Sequence, residues 1–301
     1  MPSLGARILS SVAEVWPDPL RRRKKRFNAE LNTPEYHLAY ARDQFLTRVS
    51  HGLGVGDGLP NMLGMDMLEL GTGHGGIACY LACLGAKSVV GVDVNERSLS
   101  YAVRFKEHVE AATGRELPLR FQQMDGHNLQ FEDETFDIVV ADNLFEHVNE
   151  PEKVLAEAHR VLRPGGRVLV PNMSAIRSKY GLHMKHGLKL PWANLFFSEK
   201  TIVEALRIRV ERHPELAEVY PGLSCGSERV RDVRRHQDLN DLTYAEFGKM
   251  ATRVGFRVER LRVLGVTAGR ILFKLRPELK RTAFGDVLST HAMAVLIKPE
   301  G

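Results

Sequence analysis

Four acidic residues carry the first chemical signal: Glu69, Asp93, Asp125 and Asp142. Each falls at or beside the end of an apolar run. The first is followed at once by Gly71-Thr72-Gly73-His74-Gly75-Gly76. Glycines at 71 and 73 remove side chains where a ligand must lie against backbone, and the helix expected next offers free N–H groups. Four acids at successive strand ends need an explanation, and they would repel phosphate. The turn alone leaves a second reading open. Gly71, Gly73 and Gly76 also satisfy G-x-G-x-x-G, with Asp93 at the distance of a dinucleotide ribose ligand.

Candidates for proton transfer lie further along. Glu146 and His147 follow the fourth apolar run, and an imidazole titrates near neutrality. His183 and His186 stand among Tyr180, Trp192, Phe196 and Phe197, a composition suited to an aromatic-walled pocket with a base. A packed lid with surface histidines is the competing reading. No second ligand pair accompanies His183 and His186, or Cys79 and Cys83, so no metal site is expected. Arg229, Arg231, Arg234, Arg235 and His236 could clamp an anionic acceptor, although such runs are more often solvated faces.

These residues need strands to hold them at one rim. Apolar runs at 65–70, 88–92, 119–124, 136–141 and 167–170 read as strands, and 75–84, 95–112 and 151–162 as helices between them. Pro151 suits the first turn of its helix, and Pro164-Gly165-Gly166 ends it. This alternation predicts an α/β, doubly wound, mostly parallel sheet, with ligands beyond the carboxyl ends of its strands. Residues 243–254 read as a helix and 256–264 and 293–298 as closing strands, giving seven in all. Four units are expected: an N-terminal helical arm and lid (1–64), a cofactor-binding core (65–172), a substrate-cap insertion (173–242) and the completion of the sheet (243–301).

The chain has 301 residues, 44% hydrophobic and 26% charged, in the range of a globular protein. No apolar run reaches the roughly 18 residues of a membrane span, and no signal-peptide layout opens the chain. Three cysteines make no disulfide framework, so a cytoplasmic setting is expected. The net charge of +5 favours an anionic acceptor or surface but is too diffuse to point to nucleic acid. The run Arg21-Arg22-Arg23-Lys24-Lys25-Arg26 follows a helical pattern that carries Leu4, Ile8, Leu9, Val12 and Val15. A docking helix with a solvated basic loop explains it more simply than a membrane-surface arm.

Taken together, Glu69-Leu70-Gly71-Thr72-Gly73-His74-Gly75, Gly91-Val92-Asp93, Met124-Asp125-Gly126, Phe136-Asp137-Ile138-Val139-Val140 and Arg160-Val161-Leu162-Arg163-Pro164-Gly165-Gly166 resemble the class I S-adenosylmethionine-dependent methyltransferases of the small-molecule group. A dinucleotide dehydrogenase does not explain the last two motifs. The resemblance implies a Rossmann-like methyltransferase fold and S-adenosyl-L-methionine as cofactor. By the same resemblance, Asp93 accepts from both ribose hydroxyls, and Asp125 from the adenine amino group beside Gly126 and His127. Glu69, Asp142 and Asn143 lie toward the methionine end, with Thr72 and Val94 along the cofactor, and Tyr36 and Tyr40 cover it. The expected reaction is methyl transfer to a small molecule, at oxygen before nitrogen or carbon, with His147, Glu146, His183 or His186 as base. A nucleic-acid enzyme is disfavoured because Asp142-Asn143-Leu144-Phe145 lacks the Pro-Pro-aromatic turn of base-amine methyltransferases. A binding protein of this fold with non-methylating chemistry is the alternative, and a homo-oligomer is allowed.

Overall fold

A computed structural model describes residues 2–15, 39, 42, 62–179, 181, 187–214, 216 and 239–301. The N-terminal helix α1 spans Leu4–Val15. The α/β core then runs β1 (Asp66–Leu70), α2 (Gly76–Cys83), β2 (Ser88–Asp93), α3 (Glu96–Thr113), β3 (Leu119–Gln123), β4 (Phe136–Ala141), α4 (Pro151–Val161) and β5 (Leu162–Met173). After it come α5 (Ala193–Phe196), α6 (Glu199–Arg212), α7 (Tyr244–Val254), β6 (Arg257–Gly265), α8 (Thr267–Leu275), a 3-10 turn (Pro277–Arg281), α9 (Ala283–Val287) and β7 (Ser289–Ile297).

The strands form one seven-stranded sheet in the order β3-β2-β1-β4-β5-β7-β6. The first five run parallel, and β7 is antiparallel to both β5 and β6. The order reverses between β1 and β4, which opens a crevice at their carboxyl ends. Central strands are buried on both faces, which is why they read as continuous apolar runs and not as alternating ones. One face packs Leu68, Val139, Val154, Leu155 and Phe247, under α4 and α7. The other packs Met67, Leu81, Val89, Phe105 and Val140, under α2 and α3. A third cluster joins Ala6, Leu9 and Ala13 of α1 to Ile202, Ala205 and Leu206 of α6.

Local chemistry sets the helix ends. The Asn95 side chain accepts from Ser98 N and starts α3, and Gly114 ends it in a left-handed conformation. Thr243 and Glu246 form a reciprocal capping box on α7. Two of the recurring motifs hold the sheet together. Arg163 bonds Asp137 at 2.8 Å, while Arg160 donates to Glu157, Asp133 and the carbonyls of Leu129 and Phe131.

Two details differ from the sequence expectation. The fifth strand, expected at 167–170, begins at Leu162, directly after the helix. Pro164-Gly165-Gly166 therefore lies within an irregular strand start: Gly165 donates to Lys298 O and Lys298 N to Gly166 O. Pairing with the chain's last strand recruits residues that local propensity assigns to a turn. The link between β6 and β7 also holds α8, the 3-10 turn and α9. Among the described residues, no helix is long and apolar enough to cross a membrane.

Candidate functional site

A cavity of about 670 Å³ opens at the crevice, within the roughly 300–1,000 Å³ of small-ligand pockets. Its floor is Leu70 and Gly71 at the end of β1. One wall carries Asp93, Val94, Asn95 and Ser98; another carries Met124, Asp125, Gly126 and His127; a third carries Asn143, Leu144, His147, Val148 and Asn149. Among the described residues that line it there is no Lys or Arg, so there a phosphate-bearing ligand would meet carboxylates.

Glycine at the turn is dictated by conformation and close approach. Gly71 and Gly73 have φ of 66° and 52°. Among the described residues, a Cβ on Gly73 would meet nothing within 4 Å. Gly91 has the opposite reason. A Cβ on it would come within 2.7 Å of Thr72 Oγ1 and 2.8 Å of Phe121.

The acids are wired into the backbone in distinct ways. Asp93 accepts from Gly73 N at 2.8 Å through one oxygen and from Asn95 N at 2.9 Å through the other. It thereby ties the glycine turn to the cap of α3. Each oxygen keeps a second lone pair for a ligand. Asp125 accepts from His127 N at 2.9 Å and from the ring Nδ1 at 2.6 Å, and these contacts hold its carboxyl below the usual range. A carboxylate only accepts, so the proton of that contact sits on Nδ1. Glu69 is 3% exposed beneath the turn. It accepts from Thr72 Oγ1 at 2.6 Å and Ala78 N at 3.0 Å. Burial pushes its carboxyl up to about 8, with Asp142 and Asp93 adding to the rise.

At the end of β4, Asn143 takes φ of 51°, a left-handed conformation that Asn tolerates. Its N–H donates to Asn172 O at 2.8 Å, and its side chain bonds Asp142 and Asn172. This cross-tie from β4 to β5 turns the 143–149 loop over the cavity, where His147 N donates to Leu144 O. Glu146 points the other way. It is buried and accepts from Ser174 N at 3.1 Å, and burial pushes its carboxyl up to about 8. Asn240 donates to the carbonyls of Phe145 and Val148, gripping the same loop from behind.

Of the residues expected at the site, Gly71, Asp93, Val94, Asp125, Gly126, His127, Asn143 and His147 line the cavity. Glu69 and Thr72 lie under it, and Gly73 and Asp142 bond to its walls. Trp192, Phe196 and Phe197 do not line it. Trp192 donates to Val287 O, Phe196 is 74% exposed, and Phe197 packs on the cluster between α1 and α6. Tyr36, Tyr40, Tyr180, His183 and His186 lie outside the described residues, as do the 21–26 run and Arg229 to His236. Sequence reasoning missed Asn95, Ser98, Met124 and Leu144. Asn95 and Ser98 carried a signal, the N-cap spacing directly after Asp93; Leu144 carried none.

A family model described as a methyltransferase domain matches residues 68–170. Over 113 residues the chain is 40% identical to the phosphatidylethanolamine N-methyltransferase of Cereibacter sphaeroides, covering 37% of this chain and 52% of that protein. Over 182 residues it is 37% identical to the phthiotriol/phenolphthiotriol dimycocerosates methyltransferase of Mycobacterium leprae, covering 58% and 57%. The chain thus spans about half the length of these curated relatives. Among solved structures, the [4+2]-cyclase SpnF aligns with a TM-score of 0.50 at 14% identity over 100% of this chain and 98% of that one. A protein of Listeria monocytogenes, provisionally assigned as an S-adenosylmethionine-dependent methyltransferase, aligns with 0.50 at 13% identity over 86% and 100%. At such identities the likeness is one of fold.

Proposed function

Residues 68–170 belong to the class I S-adenosylmethionine-dependent methyltransferases, and from that premise we propose that the protein methylates a small-molecule acceptor. The observation that carries the proposal is the cavity itself: glycine-floored, lined by Asp93 and Asp125, and without Lys or Arg among the described lining residues. That chemistry fits a ligand with a sulfonium, an ammonium and a ribose, and disfavours a pyrophosphate.

In this reading Asp93 accepts from the two ribose hydroxyls with the lone pairs left by Gly73 and Asn95. Asp125 and His127 receive the adenine edge, with Gly126 leaving room for the ring. Asn143 and Asp142 hold the methionine end, and Glu69 braces the turn from below by accepting from Thr72 Oγ1 and Ala78 N. When bound, the cofactor supplies an activated methyl group on sulfur. The protein then has to align the acceptor, an effect worth up to about 7–11 kcal/mol in well-oriented systems. His147, on the cavity wall, is the base for an acceptor that must lose a proton, typically worth ~10²–10⁴-fold. Glu146 serves by positioning, because its carboxyl is committed to Ser174 N.

Acceptor access falls to the 173–242 insertion, with the 1–64 arm as cover and His183, His186 and Tyr180 as its candidate contacts. Oxygen and nitrogen acceptors both belong in the proposal, since a similar protein is named as an N-methyltransferase. The free thiols Cys79 and Cys83 support a cytoplasmic setting. A non-methylating use of the cofactor is the second reading, since one fold hosts unrelated chemistries. One experiment separates them. Calorimetry with S-adenosylmethionine should show binding, and incubation with amine and hydroxyl acceptors should yield S-adenosylhomocysteine. Binding without product across the panel favours the second reading, and no binding rejects both.

A further inference from the structure

The segment between β6 and β7 leaves the sheet at the same end as the cavity. Lys179 N, beyond β5, donates to Ser289 O at the start of β7, and the Ser289 hydroxyl meets the buried Tyr244 OH. Its helix α8 is clamped inward by small residues. A Cβ on Gly265 would lie 2.8 Å from the Gly269 carbonyl carbon, and one on Gly269 would lie 2.4 Å from Leu288 O. With Gly269 and Phe273 fixed inward, the turn of 100° per residue sends 270, 271, 274 and 275 outward together.

That outward face is apolar where solvent calls for polar residues. Ile271 is 62% exposed and Leu275 70%, one turn apart, and Phe284 on the following α9 is 54% exposed. Exposed Arg270 and Lys274 form a parallel cationic edge on the same helix. The exposed acid of the segment, Glu278, is taken by Arg276. A protein interface concentrates apolar residues and expels charge from its centre. Here the cations at 270 and 274 run as one edge beside the apolar stripe of 271 and 275, the segregated pattern of a helix lying in a bilayer surface. There, apolar side chains enter the acyl boundary and Lys and Arg meet lipid phosphates.

We propose that α8 and α9 form a docking surface for an anionic lipid bilayer, with Ile271, Leu275 and Phe284 inserted and Arg270 and Lys274 on the headgroups. Docking would turn the end of the sheet that bears the cavity toward the membrane. This surface needs no methyl transfer to operate, so it stands or falls apart from the proposed reaction.

The test is flotation of the full chain with phosphatidylcholine vesicles, with and without phosphatidylglycerol. Binding is expected only with the anionic lipid, weakening at high salt. The double variant Ile271→Ser/Leu275→Ser should bind at least about tenfold more weakly, the loss expected for withdrawing two aliphatic side chains. Both positions are exposed, so an unchanged melting temperature would verify folding; if it falls, Lys274→Glu, which alters charge alone, carries the same expectation of weaker binding. Absence of binding to anionic vesicles, or equal binding by wild type and the folded variants, overturns the proposal. So does a wild-type dimer in light scattering that the double variant abolishes, which would make the face a contact between copies.

Discussion

The buried Glu69 carboxyl gives the sharpest physical test. In the unfolded chain it titrates near 4.5, and in the fold it is pushed up to about 8. Between those values the folded protein holds a proton that the unfolded chain has released. Stability contributed by this group is therefore complete below about pH 4.5 and is lost as pH rises through about 8. The full span corresponds to ~5 kcal/mol, with a slope of up to ~1.4 kcal/mol per pH unit between the two values. Glu146, also pushed up to about 8, adds a similar slope. Glu69→Gln keeps an acceptor for Thr72 Oγ1 and Ala78 N but cannot ionise. Urea unfolding at steps from about pH 5.5 to 7.5 should give a variant whose stability falls with about half the wild-type slope. The two lines should converge toward low pH, with the variant more stable near neutrality. Parallel lines would refute the claim that desolvation by the β1 turn holds this acid neutral.

Three further outcomes follow from the same geometry. Asp93→Ala should weaken S-adenosylmethionine binding by about 1.5–3 kcal/mol, the scale of a hydrogen bond to a charged group; unchanged affinity in calorimetry would remove the ribose assignment. His147→Ala should lower turnover while leaving cofactor affinity intact, and equal turnover would move the base elsewhere or dispense with it. Gly91→Ala should cost about 1–3 kcal/mol of stability, because its Cβ would meet Thr72 and Phe121 below contact distance; a neutral effect in thermal unfolding would show that the β2 floor yields.

The alternation of apolar runs with helical stretches was enough to specify a parallel core with acids at its strand ends. Those signals are local. Strand period, Pro151 at a helix start and glycines at a turn act within a few residues, and the cofactor side of the cavity is built from such turns. What needed the tertiary structure was every role set by residues distant in the chain. Glu146 and His147 are neighbours in sequence, yet one is sealed against Ser174 while the other lines the cavity. That division arises from Asn143 crossing to Asn172 and Asn240 gripping the loop, contacts that no pattern within 142–149 encodes. Likewise, the stretch 267–287 reads in sequence only as a connecting segment between two strands. Its outward apolar ridge exists because Gly265 and Gly269 are pressed together and Phe273 fills the space beneath, a choice made by packing and not by propensity.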